Sequence, residues 1–483
     1  MHAREVRAAV TALGRGWLSF DELVRTTTLP RRTVEELLDD LADDVERDDG
    51  LLRLRPDTVA AHHERVGTAA AIPPGLRDEI GGHLDAVPPP LPALDHVQAT
   101  PDTVLHRARW LDEQYDLRHA RLLFLGDHDL TSLAVHALRG EADVTVVDVD
   151  DRVLDHIDAR SGGAVRTVHA DLRFGLPLAV TGTADVVFSD PPYTPEGMTL
   201  FASRAIECLA DRAGRVVLAY GYSHRHPTLG HQVQRALSGL GLTFEAILPG
   251  FHRYAGAQAL GSAADLYVCQ PTARARKKKR GPGQAIYTHG PRSVEAARTP
   301  ERLRTALTAI AEEGGSPVEE RGPDWTRPAP VPGGTAVAVD LTGDPGPWLV
   351  RVLLAVNAGR VALLVPNAHP DLADAAGQRA LTELLAPKYR LRLLRSTPDN
   401  THAVVLAEAT GTGDTATGDT DAVDGDTGDD DTGTSALRKV WTKAHGRLGN
   451  LLPHAPADIA DLRLVDVPRH KIVRLLRSSG PGG

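Results

Sequence analysis

The stretch RLLFLGDHDLTS, residues 121–132, decides the fold, because its apolar run ends directly on a glycine and two aspartates. The run at 121–125 predicts a buried strand, and the residues from 130 to 139 predict a helix after it. Three further apolar runs that predict strands follow at residues 144–147, 165–169 and 184–188. Strands that alternate with helices form a parallel sheet, and such sheets bind ligands at the carboxyl ends of their strands. We therefore expect one site to collect the acids that close these runs, which are Asp127, Asp129, Asp148, Asp171 and Asp190.

This arrangement of strand ends is typical of a nucleoside cofactor site. Gly126, after the first strand, allows the backbone to approach a ligand closely. Asp148 closes the second strand, where a carboxylate accepts hydrogen bonds from ribose hydroxyls. Asp171 is placed to accept a hydrogen bond from the amino group of adenine. Any one of these acids could be an ordinary loop residue or a helix cap, but their order along the chain favours a cofactor of the S-adenosylmethionine type.

Two of the loops resemble motifs of the branched-chain polyamine synthases, also called N4-bis(aminopropyl)spermidine synthases. That family carries a Gly-Asp-Asp-Asp loop after the first strand and an Asp-Pro-Pro-Tyr loop after the fourth. This chain has Gly-Asp-His-Asp at 126–129, continued by Leu-Thr-Ser, and Asp-Pro-Pro-Tyr at 190–193. The resemblance covers roughly residues 98–270, together with a helix-turn-helix-like N-terminus. His128 replaces the middle aspartate of the first loop, which leaves the identity of the substrate open.

The resemblance implies a fold, a reaction and a set of site residues. The fold is α/β, with a Rossmann-like doubly wound sheet of the class I methyltransferase type and an N-terminal winged-helix-like domain, to which the pattern of later strands and helices adds a second C-terminal α/β region. The reaction moves an aminopropyl group from decarboxylated S-adenosylmethionine to a spermidine-like polyamine, releases methylthioadenosine and uses no metal. The candidates are Asp129, Asp127, Asp190 and Tyr193 for catalysis and Gly126, Asp148, Asp171 and Pro191 for cofactor binding.

The acidic loop supports this donor on charge alone. Ordinary S-adenosylmethionine carries a carboxylate that two aspartates repel, whereas the decarboxylated form ends in an ammonium group. Opposite charges about 4 Å apart gain several kcal/mol at an intermediate dielectric. Within the site we expect Asp129 to accept the proton of the attacking amine, while Asp190 holds its nitrogen from the other side. Tyr193 is expected to close the pocket by a cation–π contact.

Two alternative functions remain open from the sequence. An Asp-Pro-Pro-Tyr loop is also typical of S-adenosylmethionine-dependent N-methyltransferases, in which it holds a planar amino group under the tyrosine. The acidic loop favours the polyamine enzyme over this alternative. The second alternative is a non-catalytic DNA-binding regulator, which the helix-turn-helix pattern, the altered residue His128 and the basic stretch at 274–283 support.

Length and composition limit the setting in which the protein works. The chain has 483 residues, of which 42% are hydrophobic, and a formal net charge of −10. This acidic balance argues against nucleic acid as a partner. Cys208 and Cys269 stand far apart in apolar runs and predict buried thiols rather than a metal site. No signal peptide or membrane-spanning run is visible, so we expect a cytoplasmic protein that does not bind membranes.

The N-terminal region predicts a winged helix. Helices are expected at 20–27 and 33–45, with a hairpin at 46–55. Thr33 and Glu36 have the spacing of a capping box at the start of the second helix. That helix carries six acidic residues, which would repel phosphate groups. We therefore expect a docking or dimerisation module, as in a homodimer, rather than a DNA-binding one.

The remaining boundaries follow from composition. Residues beyond the catalytic region repeat an α/β pattern, with strands at 336–341 and 361–365 and two more after them, but carry no second Asp-Pro-Pro-Tyr loop. A tract rich in Thr, Gly and Asp predicts disorder. The expected organisation is a winged-helix-like domain at 1–75, a Pro-rich linker at 76–97, the Rossmann-like catalytic domain at 98–272, a basic linker at 273–298, a second α/β domain of open role at 299–409, a disordered spacer at 410–434 and a C-terminal tail at 435–483.

Overall fold

The computed structural model describes residues 3–255, 262–275, 286–287, 299–313, 315–410 and 432–478. Most of the expected basic linker at 273–298 and of the expected spacer at 410–434 lies outside the described residues. The domain boundaries given above therefore stay predictions. Within the described ranges, no helix combines the length and the apolar character needed to span a membrane.

Helices and strands alternate along most of the described chain. The helices are α1 Ala3–Arg15, α2 Phe20–Thr27, α3 Arg31–Leu41, α4 Val59–Val66, α5 Leu76–Ala86, α6 Pro101–Gln114, α7 Thr131–Leu138, α8 Asp151–Ser161, α9 Pro195–Cys208, α10 Pro227–Gly239, α11 Glu301–Glu312, α12 Trp348–Ala355, α13 Pro370–Ala373, α14 Ala375–Leu385, α15 Thr432–Thr442, α16 Leu448–Leu451 and α17 Arg469–Ser478. The strands are β1 Leu18–Ser19, β2 Val45–Asp48, β3 Leu51–Leu54, β4 Arg121–Leu125, β5 Asp143–Asp148, β6 Arg166–His169, β7 Val186–Ser189, β8 Arg215–Tyr220, β9 Leu242–Arg253, β10 Ala263–Pro271, β11 Val318–Arg321, β12 Ala336–Asp340, β13 Arg360–Pro366, β14 Tyr389–Leu394 and β15 His402–Ala409.

The sheet that carries the sequence motifs has seven strands in the order β6-β5-β4-β7-β8-β10-β9. Strands β6, β5, β4, β7 and β8 pair in parallel. Strand β10 runs antiparallel to both of its neighbours, β8 and β9. The predicted Rossmann-like doubly wound sheet is therefore confirmed, and the order of its strands reverses next to β4, where such sheets bind ligands.

The alternating side chains of strand β4 explain why helices cover both faces of this sheet. Leu122 and Phe124 pack into one hydrophobic core together with residues of α6, α7 and α8. Leu123 and Leu125 point to the opposite face and join a second core with residues of α9 and α10. All four side chains are at most 1% exposed. A strand buried on both faces reads as a continuous apolar run, which is the signal that the sequence shows.

A second sheet of five strands follows in the order β11-β12-β13-β15-β14. Strands β11, β12 and β13 pair in parallel, while β15 runs antiparallel to β13 and β14. The predicted strands at 336–341 and 361–365 and the two after them are present. Strand β11 was not predicted, because its sequence Val-Glu-Glu-Arg lies at the sheet edge and has no apolar alternation.

The two sheets share one hydrophobic core rather than standing apart. The core under Leu123 continues through strands β12, β13 and β15 and through the C-terminal helices, where Trp441 and Ile472 are buried. A buried ion pair also crosses this interface. The Arg351 guanidinium of α12, 0% exposed, donates from Nη2 to both carboxylate oxygens of Asp151 at 2.8 and 2.9 Å. Asp151 begins helix α8, so the C-terminal half is anchored next to the loop that closes strand β5.

The N-terminal region contains helices α1 to α4 and a three-stranded sheet. The hairpin expected at 46–55 is present as β2 and β3. The predicted capping box at Thr33 is wrong, because α3 begins at Arg31 with Pro30 at its N-cap and no side-chain cap. A capping box does occur one helix earlier, where Ser19 and Glu22 bond reciprocally at the start of α2. The helix expected to run to residue 45 ends at Leu41.

The segment expected to be a Pro-rich linker at 76–97 begins with a helix. Leu76, Ile80 and Leu84 of α5 are buried and belong to the same core as Phe124. The four-residue spacing of these apolar positions is that of one face of a helix. The proline residues that suggested a stiff linker follow this helix.

The buried ion pair predicts a stability difference that a matched pair of variants can measure. Arg351→Ala should lower the free energy of unfolding by about 3–5 kcal/mol, because it leaves the carboxylate of Asp151, only 12% exposed, without its guanidinium partner. Arg166→Ala removes an ion pair to Asp461 across the same interface, whose side chains are 31% and 48% exposed. Its cost should be about 0–1 kcal/mol. If urea unfolding showed the same loss of unfolding free energy for both variants, that result would contradict the role of the Arg351–Asp151 pair as an anchor.

Candidate active site

A cavity of about 440 Å³ opens at the carboxyl ends of the parallel strands. The sequence pattern predicted a site at this edge of the sheet. The cavity is lined by all eight predicted site residues, which are Gly126, Asp127, Asp129, Asp148, Asp171, Asp190, Pro191 and Tyr193. The structure thus brings these residues together, while their individual roles stay predictions.

Asp127 caps the helix that follows the first loop. Its two carboxylate oxygens accept hydrogen bonds from the backbone N–H groups of Thr131 at 2.9 Å and Ser132 at 3.0 Å. The turn into this helix depends on Gly126, whose φ of 75° is readily adopted by glycine. Burial raises the pKa of Asp127 to about 8. At neutral pH the first loop therefore carries less negative charge than its two aspartates suggest.

Asp148 holds the second strand end and retains capacity for a ligand. Its carboxylate oxygens accept from the backbone N–H groups of Asp127 at 3.0 Å and Asp150 at 2.8 Å. A carboxylate has about four acceptor positions, so these bonds leave room for ligand hydroxyls. Burial raises the pKa of Asp148 to about 6. This geometry is compatible with the predicted contact to a ribose.

Asp171 at the third strand end is held by four N–H groups. Arg173 donates from its backbone N–H, Nε and Nη2, and the indole Nε1 of Trp348 donates at 3.3 Å. Burial opposes the charge of Asp171, but Arg173 outweighs it and holds the pKa below its usual value. To accept from an adenine amino group, Asp171 has to exchange one donor, and Trp348 makes the longest of these bonds. Trp348 belongs to α12, so the C-terminal half contacts this end of the site.

Asp129, the expected proton acceptor, is occupied by protein donors on both oxygens. Oδ1 accepts from the backbone N–H of Ala99 at 2.6 Å and from Nε2 of Gln98 at 3.3 Å. Oδ2 accepts from Nη1 of Arg107 at 2.7 Å. These bonds fix the carboxylate against α6 and the segment before it, and they favour a structural role for Asp129.

Asp190 is the carboxylate with the most varied surroundings. Its Oδ2 accepts from Nη2 of Arg107 at 2.7 Å and from the hydroxyl of Tyr254 at 2.6 Å. Its Oδ1 lies 3.0 Å from the Tyr193 hydroxyl, and the two tyrosine hydroxyls are 2.7 Å apart. The Tyr254 hydroxyl uses its hydrogen on Oδ2, so the Tyr193 hydroxyl donates either to Oδ1 or to the Tyr254 oxygen. Oδ1 therefore accepts at most one hydrogen bond and keeps an acceptor position. Burial raises the pKa of Asp190, although Arg107 acts in the opposite direction.

His128, which replaces the middle aspartate of the family motif, is tied to a neighbouring segment. Its Nε2 lies 3.1 Å from the carbonyl oxygen of Pro88, so this nitrogen carries the hydrogen. Its ring packs against His96, with 4.7 Å between the ring centroids. Burial lowers the pKa of His96 to about 3, so this partner is neutral. The pair joins the acidic loop to residues 88–96 without adding an acidic group.

Sequence reasoning missed Arg107, Tyr254 and Trp348, all of which contact predicted site residues. A signal for Arg107 existed in helix α6. Arg107 stands three residues after Val104 and four before Leu111, so it occupies the apolar face of the helix. A charged residue on such a face is almost always paired when buried. Tyr254 and Trp348 come from distant parts of the chain and show no local pattern that predicts the contact.

The cavity as a whole is acidic. Among the described residues that line it are six carboxylates and two guanidinium groups, which are Asp95, Asp127, Asp129, Asp148, Asp171, Asp190, Arg107 and Arg173. A low-dielectric cleft lined mainly by one sign of charge concentrates ligands of the opposite sign. The arrangement therefore favours a cationic ligand.

The order of the strands, the antiparallel β10 and the acids at the strand ends define a class I Rossmann-like domain of the methyltransferase type. Residues 84–279 match the family model described as the branched-chain polyamine synthase A C-terminal domain. The predicted family resemblance is thereby confirmed for the segment that forms the cavity.

Curated relatives match the same part of the chain. An uncharacterized protein of Methanocaldococcus jannaschii is 34% identical over 199 residues, which are 40% of this chain and 49% of that one. The N(4)-bis(aminopropyl)spermidine synthase of Thermus thermophilus is 31% identical over 167 residues, 33% of this chain and 48% of that one. The chain thus spans about half the length of these relatives.

The chain is also similar to a solved structure. The Thermus thermophilus branched-chain polyamine synthase in complex with N4-aminopropylspermidine and 5′-methylthioadenosine matches with a TM-score of 0.40 and 21% identity. The match covers 59% of this chain and 92% of that one.

Asp148 gives this site a testable pH dependence. Binding of adenosine, used as a nucleoside probe, should weaken as the pH falls through about 6, because protonation removes the charge that strengthens hydrogen bonds from ribose hydroxyls. Asp148→Asn should weaken binding about tenfold or more at pH 8 and flatten this dependence. Asp185→Asn, which breaks a pair with Arg121 at the start of strand β4, is the control. Calorimetry at pH 5 to 8 measures both, and wild-type affinity for Asp148→Asn would move the ribose elsewhere.

Proposed function

We propose that this protein transfers an aminopropyl group from decarboxylated S-adenosylmethionine to a polyamine and releases 5′-methylthioadenosine. The observation that carries the proposal is Asp190, a partly exposed carboxylate with an unfilled acceptor position in a cavity lined by six acids. The match of residues 84–279 to the synthase family model supports it, as does the similarity to relatives that are named N(4)-bis(aminopropyl)spermidine synthase.

Charge favours the decarboxylated donor. Decarboxylated S-adenosylmethionine has a sulfonium and an ammonium and no carboxylate, so it suits a cavity in which carboxylates outnumber guanidinium groups. A carboxylate-bearing donor needs a cationic partner in the cavity. Arg107 directs its N–H groups at Asp129, Asp190, Tyr254 and His252, so it is poorly placed to serve as that partner.

The reaction is an in-line displacement at carbon. The lone pair of a neutral amine attacks the aminopropyl carbon next to the sulfonium, a C–N bond forms, and the C–S bond breaks with its electron pair staying on sulfur. The leaving group is the neutral thioether 5′-methylthioadenosine. When the attacking nitrogen carries a hydrogen, its proton passes to a carboxylate. Positioning supplies much of the rate, because the sulfonium already leaves readily.

Asp190 is better placed than Asp129 to hold the attacking nitrogen and accept its proton. The side chain of Asp129 is only 8% exposed and is bonded to α6 and the segment before it, whereas the side chain of Asp190 is 20% exposed. Asp190 keeps an acceptor position on Oδ1, next to the Tyr193 hydroxyl. Burial raises the pKa of Asp190 above its usual value, which brings it closer to the range useful for a general base. Asp127 caps the start of α7 through its hydrogen bonds to the backbone, and it adds negative charge to the cavity when it is deprotonated.

The nucleoside half of the donor fits the neighbouring strand ends. Asp148 receives the ribose hydroxyls, and Gly126 lets the backbone approach. Asp171 receives the adenine amino group after exchange of its bond to Trp348, and Pro191 borders the same space. These assignments put the leaving sulfur between the β5 and β7 ends of the cavity.

The N-terminal region is proposed to serve docking or dimerisation in a cytoplasmic enzyme. Helix α3 exposes acidic residues, which disfavour contact with a phosphate backbone. Trp17, 39% exposed with Arg53 above its ring, offers an amphipathic contact on the same region.

The donor test separates this proposal from its alternatives. Purified protein with spermidine and decarboxylated S-adenosylmethionine should release 5′-methylthioadenosine and form an aminopropylated product. Ordinary S-adenosylmethionine should give no S-adenosylhomocysteine with any polyamine. Chromatography coupled to mass spectrometry measures both products. Release of S-adenosylhomocysteine alone would establish the N-methyltransferase, and salt-sensitive DNA binding without turnover would establish the regulator.

Asp190→Asn should reduce kcat by about 100-fold or more, the usual scale for loss of a positioned base. The substitution preserves shape, so the dissociation constant of 5′-methylthioadenosine should change little. Asp185→Asn serves again as the control, because Asp185 lies at the opposite ends of the strands. Full turnover by Asp190→Asn would remove this residue from the reaction.

A further inference from the structure

Arg107 is the most deeply buried charged group of the cavity wall, at 1% exposure. It lies on α6, and its guanidinium is held on every side. It donates to Oδ2 of Asp129 at 2.7 Å and to Oδ2 of Asp190 at 2.7 Å. It also donates to the Tyr254 hydroxyl at 3.3 Å and to Nδ1 of His252 at 3.0 Å. One cation thus bridges the two carboxylates that the sequence assigned to the attacking amine.

The neighbours of Arg107 are suited to keep it charged. His252 accepts a hydrogen bond through Nδ1, which requires that nitrogen to be unprotonated. Burial is the main cause that holds the pKa of His252 well below its usual value, and the charge of the adjacent Arg107 acts in the same direction. His252 therefore stays neutral. The ring of Phe188 lies below the guanidinium, with Cζ 5.2 Å from its centroid. Arg107 therefore cannot swing away without leaving several buried groups unpaired.

The bridge determines which oxygen of Asp190 is available. Arg107 and the Tyr254 hydroxyl together fill Oδ2. The remaining acceptor position is therefore on Oδ1, beside the hydroxyl of Tyr193. Without the guanidinium, the neighbouring carboxylates of Asp129 and Asp190 would repel each other, and Asp190 would lose its fixed orientation.

We propose that Arg107 is a positioning residue for the transfer reaction, which locks Asp190 so that Oδ1 alone receives the attacking nitrogen. This inference rests on the proposed function. The inference also extends the proposed function, because it makes Arg107, on the helix that precedes strand β4, a determinant of how the acceptor amine is oriented. The guanidinium contacts the carboxylates and acts on the reaction only through them.

The inference predicts a change in the pH profile as well as in the rate. Burial raises the pKa of Asp190, and Arg107 opposes that rise. Removal of the guanidinium should therefore raise the pKa further, and the acidic limb of kcat/KM should move to higher pH. The amines of the substrate titrate identically in all variants, so the difference between variants reports on the protein.

The test compares Arg107→Met, Arg107→Lys and Arg139→Met in the full-length protein, with spermidine and decarboxylated S-adenosylmethionine. Arg139 forms an ion pair with Asp112, which lies on α6 as Arg107 does, and the two side chains are 16% and 2% exposed. The loss of Arg139 therefore controls for general damage to α6. Arg107→Met should lower kcat about 100-fold and move the acidic limb by about one pH unit or more. Arg107→Lys keeps the charge but not the bridging geometry, so it should lose rate with a smaller shift of the limb.

Binding of 5′-methylthioadenosine identifies variants that are folded. An Arg107→Met protein that binds this nucleoside and keeps the wild-type rate and pH profile would overturn the inference, and so would an equal pH shift in Arg139→Met. If Arg107→Met does not fold, a wild-type rate and profile in Arg107→Lys would overturn it. Failure of the proposed function is seen separately, because wild-type protein would then release no 5′-methylthioadenosine.

Discussion

Mutual repulsion among carboxylates is the constraint on which this structure depends. Parallel strands deliver their closing residues to one edge, and here six carboxylates line a single cavity. The five that close strands are compensated in different ways. Backbone N–H groups hold Asp127 and Asp148, while guanidinium groups hold Asp129, Asp190 and Asp171. These contacts neutralise only part of the negative charge of the carboxylates, so the cavity can still attract a cation.

The C-terminal half belongs to the same physical unit as the cavity. Its helix α12 supplies Arg351, which anchors the first residue of α8, and Trp348, which contacts Asp171. The shared hydrophobic core makes these contacts part of one packed interior. The match to the family model ends at residue 279, so this chain supports the Asp171 end of the cavity with residues that lie beyond the matched segment.

The sequence predicted the framework of the site better than its contacts. Strand β4 has the predicted bounds, and the eight predicted residues meet at one cavity, because strand ends and their closing acids are encoded locally. Arg107 was missed since its partners lie 22 and 83 residues away and meet it only after folding. The same limit explains the capping box, for which Thr33 had the right spacing but Pro30 set the helix start.

Binding of spermidine to protein saturated with 5′-methylthioadenosine tests the central claim most directly, because it asks whether the acidic cavity holds a polyamine beside the nucleoside. Titration calorimetry should show one equivalent of spermidine bound. The affinity should fall as the pH drops from 8 to 5.5, since Asp127 and Asp148, with pKa values of about 8 and about 6, then take up protons. No saturable binding, or an affinity that does not change with pH, would contradict the account.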